Sequence, residues 1–200
     1  MPPEITFTKE KLLEAAFKIM RRRGRDKLTA RSLARELKCS TMPIYSYLKS
    51  MKNLDQDMAR RAVALMLKYQ TTPRTGRTFY DMGLGYIQFA KKERHLFRYL
   101  FVPDKAGSPR RVPATAMRDF AFSNLVPRMK ADPQLKGLNE EQMQGIVTKM
   151  WIFTHGIAVL VNNRSFDLDN DAFIEELLAE TGFCVIEGEK NKPMVNRRQS

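Results

Sequence analysis

The stretch LTARSLARELKCSTMPIYSYLKSMKNL, residues 28–54, decides the fold. After Thr29 the apolar positions Ala30, Leu33, Ala34 and Leu37 fall three and four apart. That spacing predicts a short helix with Thr29 as its N-cap. Lys38-Cys39-Ser40 breaks the register. A further short helix then opens at Ser40 or Thr41, with Pro43 in its first turn, where a missing N–H costs little. Ile44, Tyr45 and Leu48 are its expected inward residues. Two short helices on either side of a tight break describe a helix-turn-helix, whose second member has the dimensions to enter the major groove of DNA.

Working outward, the same helical spacing fills the rest of the chain, and no strand pattern appears. Thr8 caps a first helix with the stripe Leu12, Leu13, Ala16, Phe17 and Met20, and Gly24 ends it. A long fourth helix starts near Ser50 and carries Leu54, Met58, Leu65, Met66 and Tyr69. The segment TTPRTG, 71–76, reads as a turn. Helical spacing resumes through Phe79, Met82, Tyr86, Phe89 and Ala90, then Leu96, Phe97, Leu100 and Phe101. Three prolines and a glycine make 102–113 a loop. A seventh helix is expected over Thr115 to Met129, kinked or ended by Pro127, and a loop over 131–139. Residues 140–163 begin amphipathic and become apolar nearly all round from Met150, so that helix must be covered on all sides. The last helix is expected from Asp171 to about Ile186, followed by a polar tail.

Composition narrows the function. Of 200 residues, 35 are Lys or Arg and 22 Asp or Glu, a formal charge of +13. Residues 1–50 hold 12 basic and 5 acidic side chains, or +7, so about half the excess sits in a quarter of the chain. A basic surface there favours a polyanion, because each neutralised phosphate releases a counterion. At least two of Arg21, Arg22 and Arg23 read as a solvated helix end, favourable with the helix dipole. Cys39 and Cys184 match no metal or redox spacing, which points to a reduced cytoplasmic chain with no metal and no cofactor. No signal pattern opens the sequence, and no unbroken apolar run is long enough for a membrane span. Neither His95 nor His155 lies near a cysteine in sequence. Gly83-x-Gly85 lacks a strand before it and a third glycine, so an enzyme is not expected.

Three pieces, KLLEAAFKIMRRRG (11–24), LTARSLARELKCS (28–40) and MPIYSYLKSMKNL (42–54), resemble the tetracycline-repressor-like (TetR) family of bacterial transcriptional regulators. The shared features are Ala15-Ala16, Gly24, Thr29, Leu33-Ala34 and Tyr45-x-Tyr47-Leu48. The resemblance covers about residues 8–56. The chain departs from the family pattern at Arg25, where the family has an aromatic, and at Lys38-Cys39, where it has Gly-Val, which predicts a positive φ at Lys38. It departs again at Met51, where the family has Lys and this chain has Lys52 next door.

The resemblance implies an all-α fold. An N-terminal three-helix helix-turn-helix DNA-binding domain over 1–52 would be joined by the fourth helix to a helical ligand-binding and dimerisation domain over 53–188, with a disordered tail over 189–200. Contacts to DNA would come from Thr29, Arg31, Ser40, Thr41, Met42, Pro43, Tyr45, Ser46, Tyr47, Lys49 and Lys52. Thr29 and the free N–H groups after it would form a phosphate site. Arg31 reads as a phosphate or guanine contact, or as a solvated charge. Met42 and Pro43 can meet a thymine methyl. Tyr45 reads equally as a phosphate contact or as core.

In the second half the resemblance implies a cavity for a small hydrophobic ligand, with Tyr86, Phe89, Phe97, Phe101, Met117, Phe120, Trp151 and His155 as candidates. Each of these singly could be plain core, and His155 could be a hydrogen-bonded structural histidine. A homodimer would bury Phe153, Ile157, Leu160, Val161, Phe173, Leu177 and Leu178 in a four-helix interface. The implied function is a ligand-responsive repressor that binds a palindromic double-stranded operator as a dimer and is released by its ligand. The rival reading is a helical protein-interaction module without specific DNA or ligand binding.

Overall fold

The computed structural model describes residues 8–49, 54–102, 119–120, 122–165 and 170–192. Among them there is no strand. The helices are α1 (Lys9–Arg23), α2 (Ala30–Leu37), α3 (Thr41–Lys49), α4 (Leu54–Thr71), α5 (Thr78–Lys92), α6 (Arg94–Phe101), α7 (Val126–Met129), α8 (Glu140–Asn163) and α9 (Asp171–Lys190). Single 3-10 turns lie at Arg25–Lys27 and Pro133–Leu135. The chain divides into two compact units, Met1–Lys68 with Phe89–Pro113, and Tyr69–Gln88 with Ala114–Ser200.

In the first unit, the caps read from sequence are in place. Thr8 accepts from Lys11 N, and Gly24 closes α1 at φ 89°. His95 lies over Gly24, where a Cβ would come within 3.2 Å of its Nδ1. α1 packs on α2 and on α6, and α2 packs on α3. Leu12, Ala16, Met20, Leu33, Ile44, Met58, Phe89, Phe97 and Leu100 fill the core. Arg21 leaves the solvated arginine run: it donates to the buried Glu93 carboxylate. The Tyr99 hydroxyl donates to Asp55 O at 2.8 Å, and Arg25 Nε donates to Asp55 Oδ1 at 2.9 Å, fixing the first turn of α4.

The second unit is built on α8 and α9, which pack side by side. Its core includes Met82, Ile87, Met129, Met143, Ile146, Val147, Ile157, Ile174 and Leu178. The turn at 71–76 is organised by the buried Asp81 carboxylate, which accepts from Arg74 N (2.9 Å), Thr75 N (3.0 Å) and Thr75 Oγ1 (2.7 Å). Burial alone would raise the Asp81 pKa, but these donors hold it below the ordinary value. Asp132, also buried, accepts from Phe79 N at 2.9 Å and Gln134 N at 3.0 Å.

Two helix boundaries differ from the sequence reading. The helical run expected to Met129 is interrupted at Leu125, and α7 restarts with Pro127 in its first turn, where its missing N–H leaves no bond unmade. The expected residues 103–118 of that loop and helix lie outside the described residues. The last helix continues past Ile186 to Lys190. Its extra turn is held by tertiary contacts: Glu189, 1% exposed, receives Lys149 Nζ at 2.7 Å, and Gln142 Nε2 donates to Glu189 O at 2.8 Å. Gly145 leaves the room, since a Cβ there would sit 2.7 Å from Glu189 Oε1.

By length and mean hydropathy (1.3), α8 also falls within the range of a membrane span. One side of it packs inward on α9 and the core. The other side exposes Ile152, Gly156 and Leu160.

Candidate nucleic-acid interface and ligand cavity

The first unit carries α2 and α3 on either side of a tight turn. Thr29 Oγ1 accepts from Ser32 N at 3.1 Å, and Ser32 Oγ accepts from Thr29 N at 2.9 Å. This reciprocal capping box fixes the start of α2. It uses the Thr29 and Ser32 N–H groups and leaves those of Ala30 and Arg31 facing out of the helix end. Ser32 escaped the sequence reading because the usual box has Glu or Gln in that position. Arg31 is exposed. Lys38 closes α2 in the left-handed region at φ 53°, as its place in the turn predicts, and Cys39 N donates to Ala34 O at 2.9 Å.

The turn delivers α3 with its leading edge outward. Ser40 is exposed, Thr41 and Pro43 are half-buried, and Met42 is 78% exposed. Ile44 faces inward and is fully buried, as expected. Tyr45 does not: it is 53% exposed, because one residue of α-helix rotates the side chain by about 100° away from Ile44. The side chains of Ser46, Tyr47, Leu48 and Lys49, and all of Lys52, lie outside the described residues.

The second unit holds a half-open cavity of about 270 Å³, lined mostly by apolar side chains from the end of α4 and from α5, α7, α8 and α9. Of the eight ligand candidates, Tyr86 and Trp151 line it. Phe89, Phe97 and Phe101 do not: they are buried in the core of the first unit, and Phe97 and Phe101 stack with centroids 4.9 Å apart. Helical spacing marks a residue as buried without saying in which core. Phe120 is half-buried and off the cavity wall, and Met117 lies outside the described residues. His155 stands behind the wall. It shares a hydrogen bond of 2.8 Å with the Tyr86 hydroxyl through Nδ1 and stacks on Trp151 with centroids 5.7 Å apart. Burial pushes the Tyr86 hydroxyl pKa well up, so it stays a neutral phenol.

The sequence reading missed Tyr80, Thr154 and Gln70 on the wall. Gln70 enters because α4 and α5 touch at backbone distance. A Cβ on Gly85 would lie 2.2 Å from Tyr69 O and 2.7 Å from Gln70 Cα. The small-residue pair Gly83-x-Gly85 was the visible trace of that contact.

Of the expected dimer residues, Leu160 (39%) and Phe173 (46%) are exposed, and Phe153 and Leu177 are half-buried against the core. Ile157, Val161 and Leu178 are corrections: the core of their own chain takes them up. The all-round apolar character of α8 divides into an inward face and an outward one. Ile152 (62%) on α8 and Phe183 (66%) on α9 add to the exposed apolar surface.

Residues 79–181 match the family model described as a tetracyclin repressor-like C-terminal domain. The match spans more than half of the 200 residues. The chain belongs to the tetracycline repressor-like family. No curated protein matches it.

Proposed function

We propose that this protein is a ligand-responsive transcriptional repressor that binds a palindromic operator as a homodimer and leaves it when a small hydrophobic molecule enters the second unit. One observation carries the reading: α3 packs on α2 with Met42 and Tyr45 exposed, and Arg31 in the first turn of α2 is exposed as well. Thr41 offers a hydrogen bond to a base edge, Met42 an apolar contact, and Arg31 with the α2 N–H groups a seat for phosphate. A single helix-turn-helix reads few base pairs, so two copies related by a two-fold axis are needed for an operator. The outward face with Ile152, Leu160, Phe173 and Phe183 would be covered by the second copy.

Release requires the ligand to bind one arrangement of the dimer better than the other. The family match supports a ligand domain over 79–181, and the cavity lies mostly within that span. The test is retention of a duplex from the protein's own promoter. Binding should fall steeply with salt, and Arg31→Ala should weaken it without dissociating the dimer. A protein that retains no duplex at low salt would overturn the proposal.

A further inference from the structure

Two kinds of residue line the half-open cavity of the second unit. Met82, Met129, Val147, Met150, Leu178 and Ile186 are apolar and buried. Arg77, Phe183 and Lys190 also line it, yet each is exposed to solvent. The charged lining residues are Arg77 and Lys190 against Glu187, an excess of one positive charge. The two cations differ in their surroundings. Lys190 Nζ is held by Glu187 Oε1 at 2.9 Å. The Arg77 guanidinium lies 4.2 Å over the ring of Tyr80, itself a lining residue, and forms no ion pair with a described carboxylate. A ring face attracts a cation without neutralising it. Burial and then the Glu175 carboxylate raise the Tyr80 hydroxyl pKa, against the opposing charge of Arg77. Glu175 is exposed and does not line the cavity.

Resting on the reading of this unit as a ligand domain, we propose that the cavity takes an amphipathic monocarboxylate, its hydrocarbon part among the buried methionines and aliphatics and its carboxylate on the exposed Arg77. A guanidinium can meet a carboxylate through two parallel N–H donors. Because Arg77 is exposed, the anion keeps much of its water, and the penalty of burying a charge is avoided. An ammonium head would instead meet the charge of Arg77 and a Glu187 already paired. The volume sets the size. An apolar cavity of about 150 Å³ holds the six carbons of benzene, so one of about 270 Å³ scales to about eleven non-hydrogen atoms. Flexible methionine side chains suit a chain of that length.

The experiment uses three probes with one hydrocarbon chain, octanoate, octan-1-ol and octylammonium, on the full-length protein at neutral pH. Trp151 lines the cavity and is the sole tryptophan, so indole fluorescence reports on this site, and calorimetry gives the affinities. Apolar partitioning alone ranks the alcohol above either ion, since a charged head resists leaving water. Octanoate should nonetheless saturate one site about fivefold tighter than octan-1-ol, with octylammonium the weakest. Added salt should weaken octanoate and leave octan-1-ol unchanged. Arg77→Gln should bring octanoate to or below the alcohol, whose own affinity stays put, while Arg77→Lys keeps the order of the parent. Octan-1-ol equal to or tighter than octanoate, octylammonium tightest, no binding of octanoate, or an Arg77→Gln variant that still prefers it would each overturn the inference. The order of the three probes on the parent decides even where a variant does not fold. Duplex retention by the same preparation keeps the two proposals apart. A protein that holds its promoter but does not prefer octanoate refutes the ligand class alone. One that prefers octanoate through Arg77 but holds no duplex refutes the regulator and leaves the site.

Discussion

Arg21 near the end of α1 donates through Nε to Glu93 Oε2 at 2.6 Å and through Nη2 to Glu93 Oε1, so both carboxylate oxygens of a residue that is 3% exposed are held by one guanidinium. Glu93 stands at the start of α6, which packs on α1. The pair ties α1 to α6 within one unit. Removing Arg21 would take a bidentate charged partner away from a buried carboxylate. Fully buried pairs broken this way cost about 3–5 kcal/mol and surface pairs about 0–1. Arg21 is itself half-exposed, so Arg21→Ala should cost about 2 kcal/mol in chemical denaturation, between those limits. Arg21→Ala combined with Glu93→Gln should recover part of the loss, and a double variant no better than the single would show that the carboxylate is not the source.

Gly85→Ala should be severe. The added methyl meets backbone rather than a mobile side chain, with Tyr69 O at 2.2 Å. Either α4 and α5 move apart or the variant loses about 3 kcal/mol or more. Gly156→Ala is the control, since a Cβ there meets nothing within 4 Å. On a monomeric chain that change should be neutral or stabilising by up to about 1 kcal/mol. Thermal unfolding of the two variants side by side checks the contrast.

The proposed dimer face can be tested against the core beneath it. Ile152→Glu or Leu160→Glu places a charge on an exposed face of α8 and should yield folded monomers by sedimentation, with helix content unchanged. Leu178→Glu buries its charge in the chain's own core and should unfold the protein instead. A native chain that sediments as a monomer would remove the interface.

The α8–α9 clasp should make stability acid-sensitive. The hydrogen bond from Lys149, with Lys192 nearby, holds the Glu189 carboxyl below its ordinary value despite burial. A folded-state pKa below the unfolded one adds stability that is fully present above the unfolded value, roughly 4.3 for Glu. That stability is lost as the pH falls through the folded value. Both lysines are half-exposed, which limits the contribution to about 1 kcal/mol. The melting temperature of the parent should therefore drop more steeply below about pH 4.5 than that of Glu189→Gln, because the variant lacks this group. Parallel acid titrations of the two would refute the clasp.

What the sequence determined by itself were features governed by neighbours within one helical turn. The caps at Thr8, Gly24 and Thr29, the left-handed Lys38 and the span Glu140–Asn163 all follow from side chain and backbone a few residues apart. The outward edge of α3 was legible for the same reason, except at Tyr45, whose ring could serve core or surface alike. Tertiary structure alone decided which buried residues share a core. Phe89 and Tyr86 lie three apart on α5, yet one fills the first unit and the other lines the cavity of the second. Gln70 became a cavity residue only because Gly85 lets two backbones meet, and the last turn of α9 persists only because Gly145 opens space for Glu189. Periodicity records how often a side chain turns inward. Which partner it finds there depends on helices distant in sequence, and no local pattern encodes that distance.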